Sequence, residues 1–184
     1  MNVRIRAFRC VSIGVVLMSA ILTPGCAPQP SIQGLFTRHE LLSRGRLAVL
    51  GLTEEQEQLL MASYIRAFPL RIITFVERYR LKDILGEQDL LKGRLDEKTR
   101  AKIKRILGVE ALFLCTYYDD ETVGAGGKKL RIRIVDSETG AILGSVITIA
   151  GDNFLSHCEM AVQALKKDLY SKQQSEKLAN EPIP

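Results

Sequence analysis

Between Ala111 and Ile149 the pattern turns strand-like in three runs, separated only by a short loop and a turn, and the middle run alternates cleanly with a period of 2. The runs are Ala111–Tyr118, Leu130-Arg131-Ile132-Arg133-Ile134 and Ala141–Ile149. Period 2 sends successive side chains to opposite faces of a strand, and connections this short join only antiparallel neighbours. The loop is Gly124-Ala125-Gly126-Gly127 and the turn is Ser137-Glu138-Thr139-Gly140, both rich in residues that tolerate tight backbone geometry. The segment is therefore an antiparallel three-strand meander. One face, with Leu130, Ile132 and Ile134, turns to a core, and Arg131 and Arg133 turn to water.

Upstream the pattern alternates between strand and helix. Leu47-Ala48-Val49-Leu50 reads as a buried strand. Thr53 with Gln56 forms a capping box for a helix reaching Phe68, which Pro69 stops. Arg71-Ile72-Ile73-Thr74-Phe75-Val76 is β-branched and strand-like. Leu81, Ile84, Leu85 and Gln88 then form a helical stripe, and Asp96 caps a helix that ends at Gly108. A last helix runs from Asn153 to about Tyr170. Two strands around a helix are expected to be parallel with a right-handed crossover. The fold class is α/β (α+β): a single mixed sheet, two parallel strands plus the meander, with helices on its faces.

The N-terminus reads as an address. Arg4, Arg6 and Arg9 precede a 13-residue apolar core, Cys10–Leu22, the length of a signal peptide and too short to span a bilayer. The core ends in Leu22-Thr23-Pro24-Gly25-Cys26, which resembles the lipobox of bacterial lipoproteins, with Thr23 where Leu is usual. The resemblance implies a signal peptide at 1–25 and lipidation of Cys26 by a diacylglycerol and an acyl chain such as palmitate, a stable anchor. Ala27 after the Cys then implies the periplasmic face of the outer membrane. An ordinary signal peptide, or an uncleaved anchor with Cys26 incidental, remains the alternative. Residues 26–45 read as a tether, opened by Ala27-Pro28-Gln29-Pro30-Ser31 and holding a short helix started by Thr37 and Glu40. Residues 46–170 form the domain and 171–184 a loose tail.

Three stretches stand out: Val76-Glu77-Arg78 with Leu81, Ile84, Leu85, Glu87 and Gln88; Gly108-Val109-Glu110-Ala111-Leu112; and Val135-Asp136 with Thr139, Gly140 and Ile142. In this order they resemble the curli secretion-channel (CsgG-type) lipoprotein family, which includes the related lipoprotein activators of penicillin-binding proteins. Their chemistry reads as structural. Arg78 can bond carboxylates or free carbonyls, Glu87 and Gln88 neighbouring backbone, and Asp136 and Gly140 suit a tight turn. The family's channels use long membrane hairpins, whereas this chain offers only the Tyr118–Lys128 connection and the Ser137–Gly140 turn, with no room for a second hairpin, so the compact periplasmic module is the better likeness.

Composition excludes several functions. The formal charge is +5, but three of the 26 basic residues precede Cys26, and beyond them it falls to +2. That gives little attraction for nucleic acid, and none is expected as a partner. Lys98, Arg100, Lys102, Lys104 and Arg105, with Arg94, wrap around a helix as a solvated face or meet an acidic partner. The chain has only two histidines, His39 and His157, and adjacent His157 and Cys158 diverge on a helix, so no metal, cofactor or enzyme activity is expected. Cys115 and Cys158 read either as buried thiols or as a disulfide. Two functions remain. One is an assembly lipoprotein that binds envelope or secretion proteins, with a homo-oligomer left open. The other is a regulatory lipoprotein that activates a cell-wall synthase.

Overall fold

A computed structural model describes residues 31–92, 95–120, 127–149 and 151–179, apart from the side chains of Glu87 and of residues 176–179. The signal segment, Cys26, Ala27–Pro30, Arg94, Gly124–Gly126 and residues 180–184 lie outside the described residues. The elements are β1 (Ser31–Thr37), a 3-10 turn (His39–Ser43), β2 (Arg46–Leu50), α1 (Glu54–Ala67), β3 (Thr74–Phe75), α2 (Arg78–Lys82), α3 (Glu87–Lys92), α4 (Glu97–Leu107), β4 (Ala111–Asp119), β5 (Lys128–Asp136), β6 (Ile142–Ile149) and α5 (Phe154–Ala179).

The strands form one mixed sheet in the order β1-β6-β5-β4-β2-β3. The pairs β1–β6, β6–β5 and β5–β4 are antiparallel, while β2 is parallel to both β4 and β3. The expected meander and the expected parallel pair around α1 are both present. Strand β2 is a continuous apolar run because both of its faces are covered. Leu47 and Val49 join one core with α1 and α5, and Ala48 and Leu50 join a second core with α2, α3 and α4. Strand β5 is covered on one face as far as Ile134. Leu130, Ile132 and Ile134 are buried, and Arg131 and Arg133 are exposed.

Local signals set both ends of α4 and the start of α1. Thr53 and Gln56 exchange both bonds of a capping box, Asp96 accepts from the Thr99 amide at 2.6 Å, and Gly108 closes α4 at φ 66°.

Four expectations are corrected. Ser31–Thr37 is a strand in the sheet and not part of a tether. Its hold is main-chain pairing with β6 plus a bond from the Thr37 hydroxyl to Asp168, so Thr37 caps no helix. Only Thr74–Phe75 of the expected Arg71–Val76 strand pairs with β2, because Arg71 is drawn towards the carbonyls of Leu41, Leu42 and Arg44. The stripe from Leu81 to Gln88 is broken across residues 83–86 into α2 and α3. Leu81 and Leu85 are buried, Ile84 is half-buried and Gln88 is exposed. The tail residues from Ser171 continue α5 as far as Ala179.

Candidate functional site

Two of the three family-like stretches meet at one end of the sheet. Asp136 closes β5, and its Oδ1 accepts from the amides of Glu138 (3.0 Å) and Thr139 (2.7 Å) and from the Thr139 hydroxyl (3.0 Å). Its Oδ2 lies 2.8 Å from Arg44. Burial works against ionisation, but the bonds from Thr139 and Glu138 and the charge of Arg44 outweigh it, so the carboxyl is held below its usual value. Gly140 sits at φ 76°, where a side chain would be strained, and a Cβ there would approach the Arg100 guanidinium to 3.2 Å. Arg100 donates to the Ser137 carbonyl at 2.9 Å.

Glu110 ties this turn to β2. Its Oε2 accepts from the amides of Gly45 (2.6 Å) and Arg46 (2.9 Å), and these bonds, led by that from Arg46, lower its pKa against the opposing effect of burial. The Arg46 Nε donates to the Leu107 carbonyl at 2.6 Å, closing the end of α4. The Ser137 hydroxyl donates to the Val109 carbonyl. Every acid and hydroxyl in this cluster bonds to backbone or to a neighbouring cation. The cluster fastens the ends of β2, β4 and β5, and it presents no unoccupied nucleophile.

The stretch around Arg78 lies at the opposite end of β2. Val76 is buried and its amide donates to the Leu47 carbonyl at 2.8 Å. Glu77 is the N-cap of α2 and makes no side-chain capping bond. Arg78 donates to Glu57 of α1 at 3.0 Å and to the Leu52 carbonyl at 3.1 Å. This ion pair is buried at 9% and 3% side-chain exposure, and it borders an open cleft of about 300 Å³ between α1 and α2. Sequence reasoning did not name Glu57, Arg44 or Thr37 as partners. Glu110 stood within a quoted stretch, but its task there did not show.

The thiols do not supply a nucleophile. Cys115 and Cys158 are unbonded and buried in the same core. Burial pushes the Cys115 thiol well up and the Cys158 thiol up to about 12, so neither is a thiolate at neutral pH. His157 is fully buried, with Nε2 3.1 Å from the Gly151 carbonyl and Nδ1 2.7 Å from the Thr148 hydroxyl. A carbonyl only accepts, so Nε2 donates to it and Nδ1 accepts from Thr148. Among the described residues no group of His, Cys, Asp and Glu could hold a metal ion.

Burial lowers the His157 pKa, partly opposed by the Gly151 carbonyl. The unfolded chain then takes up a proton near pH 6.5 that the folded chain refuses, so stability present above that pH is lost as pH falls. Urea midpoints are expected to drop between pH 7 and pH 5 in the native protein and to stay flatter in His157→Gln. Equal slopes for the two proteins would show that His157 is not held neutral.

No helix among the described residues is long and apolar enough to cross a membrane. Comparison with curated proteins finds no match. Among solved structures, the PelC dodecamer from Paraburkholderia phytofirmans is similar at 10% identity, covering 76% of this chain and 96% of that one, with a TM-score of 0.45. The LpoB C-terminal domain from Salmonella enterica is similar at 14% identity, covering 62% and 96%, with a TM-score of 0.43. A lipoprotein from Neisseria meningitidis is similar at 14% identity, covering 76% and 99%, with a TM-score of 0.37. The family described as "Curli production assembly/transport component CsgG" matches residues 71–166, just over half of the chain, and these residues hold all three fastened stretches. The chain belongs to the CsgG family.

Proposed function

We propose that this chain is a lipoprotein anchored through Cys26 to the periplasmic face of the outer membrane. Its domain binds other envelope or secretion proteins and assembles in several copies, as a component of curli-type secretion or envelope biogenesis. The observation that carries the reading is the place of β1. Ser31 already pairs with Ile149, so only four residues separate Cys26 from the sheet. Fully extended, that connection reaches at most roughly 17 Å. A domain so anchored stays against the membrane surface, which disfavours the reading as an activator that reaches across the periplasm to a cell-wall synthase. The family description, curli production assembly and transport, supports a partner in secretion.

Attachment then resides in acyl chains and not in the fold. Cys26→Ser is expected to keep the native circular dichroism, to lose incorporation of labelled palmitate and to leave the membrane fraction. Unchanged fractionation with an unprocessed N-terminus would overturn the lipoprotein reading.

A further inference from the structure

Leu70 and Ile72 are the most exposed large apolar side chains among the described residues, at 98% and 92%. Single exposed apolar residues are ordinary, but these two are held out. Arg71, between them, folds back. Its Nη2 donates to the carbonyls of Leu41 (3.2 Å), Leu42 (2.7 Å) and Arg44 (2.7 Å), and its guanidinium lies 5.6 Å over the Phe68 ring. The Arg71 amide also donates to the Phe68 carbonyl at 3.1 Å. A segment pinned this way loses little further freedom on docking, the usual property of an interface anchor.

The same chain carries a matching recess. Helices α1 and α5 cover one face of the sheet, whereas on the other face the apolar cluster of α2, α3 and α4 reaches only β2 and β4. At the edge of that cover lies an open groove of about 270 Å³, floored by Leu95, Leu114, Val135 and Ile142 and rimmed by Arg100 and Arg133. Ile142 is 42% exposed. Arg133 is exposed, and no hydrogen bond or ion pair of its side chain exists among the described residues. The Pro69 and Leu70 carbonyls accept no hydrogen bond among them either. Because Arg71 is turned inward, the projecting segment offers those carbonyls, not its cation, to the arginine rim.

We propose that Leu70 and Ile72 of one copy of this chain seat in the groove formed by Leu114, Val135 and Ile142 of a second copy. Arg133 of the receiving copy donates to the carbonyls of the inserted segment. Projection and recess are different surfaces, so the contact is heterologous, and its repetition builds a ring or a filament. This inference rests on the reading of the protein as an assembly of several copies.

The test is the mass of the purified, lipidated mature protein in detergent, measured by light scattering behind a sizing column and by sedimentation. The native protein is expected as a multi-copy particle. L70D/I72D is expected to keep the native far-UV circular dichroism, since both positions are exposed in the single copy, and to run as a monomer at concentrations at least tenfold above those at which the native particle persists. I72C/I142C is expected to cross-link between copies on oxidation, with buried Cys115 and Cys158 not competing. A native particle left intact in L70D/I72D, with no cross-link in I72C/I142C, would overturn this contact while the assembly reading stands. A native protein that stays monomeric overturns both.

Discussion

Arg78→Met is expected to lower the free energy of unfolding by about 3–5 kcal/mol, a large share of the roughly 5–15 kcal/mol a domain possesses. The loss comes from what the substitution leaves behind. Glu57 has 3% side-chain exposure and would stay buried beside a thioether, and the Leu52 carbonyl would lose the same donor. Removing both charges is a different experiment. In Glu57→Leu with Arg78→Met neither member of this pair stays buried without the other, so the double variant is expected to be more stable than Arg78→Met alone. Urea unfolding monitored by circular dichroism measures both. A single-variant loss under about 1 kcal/mol, the value of an exposed pair, would mean that water reaches these charges.

Phe113→Ala is expected to cost about 3–5 kcal/mol. Phe113 is fully buried in β4, with its ring 5.1 Å from Tyr64 and 6.2 Å from Phe75, both edge-on. Each such pair adds about 0.5–1.5 kcal/mol beyond area burial, so truncation removes ring contacts and leaves a cavity between β4 and α1. In a domain of this size the thermal midpoint should fall by roughly 6–20 °C, read by calorimetry. Phe113→Leu should retain more than half of the lost stability. A midpoint within about 2 °C of native for Phe113→Ala would show that the ring is not at the centre of the core.

What could be read from the sequence follows from which elements have a wet side. The strand with Leu130, Ile132 and Ile134 was legible because Arg131 and Arg133 mark its outer face. Strand β2 was legible from the opposite cause, an unbroken apolar run buried on both sides. Strand β1 was not. It is an edge strand whose register shifts between Ile32 and Gly34, and it leaves Ile32, Leu35 and Phe36 about 40% exposed, so no period appears. Ile72 misled in the other direction. A β-branched residue in a β-rich stretch reads as strand, but tertiary bonds to Arg71 pull that stretch off the sheet. The turn at Asp136 and Gly140 was legible because Asp and Gly serve local geometry. The joining of Arg78 to Glu57, or of Glu110 to Gly45, is decided by packing between distant segments and leaves no local mark.

The pairing of the first strand with the last has a consequence for when this chain can become itself. Among the described residues strand β1 pairs with β6 alone, and Thr37 bonds Asp168 from 131 residues away. Closing so long a loop is entropically costly before any contact compensates it, and folds dominated by such pairings form slowly. A chain that emerges N-terminus first must wait for its last helix before its first strand has a place to lie. That delay leaves the first strand extended and unpaired for as long as the C-terminal third is still being supplied, and the far edge of the sheet is the last part of the fold to close.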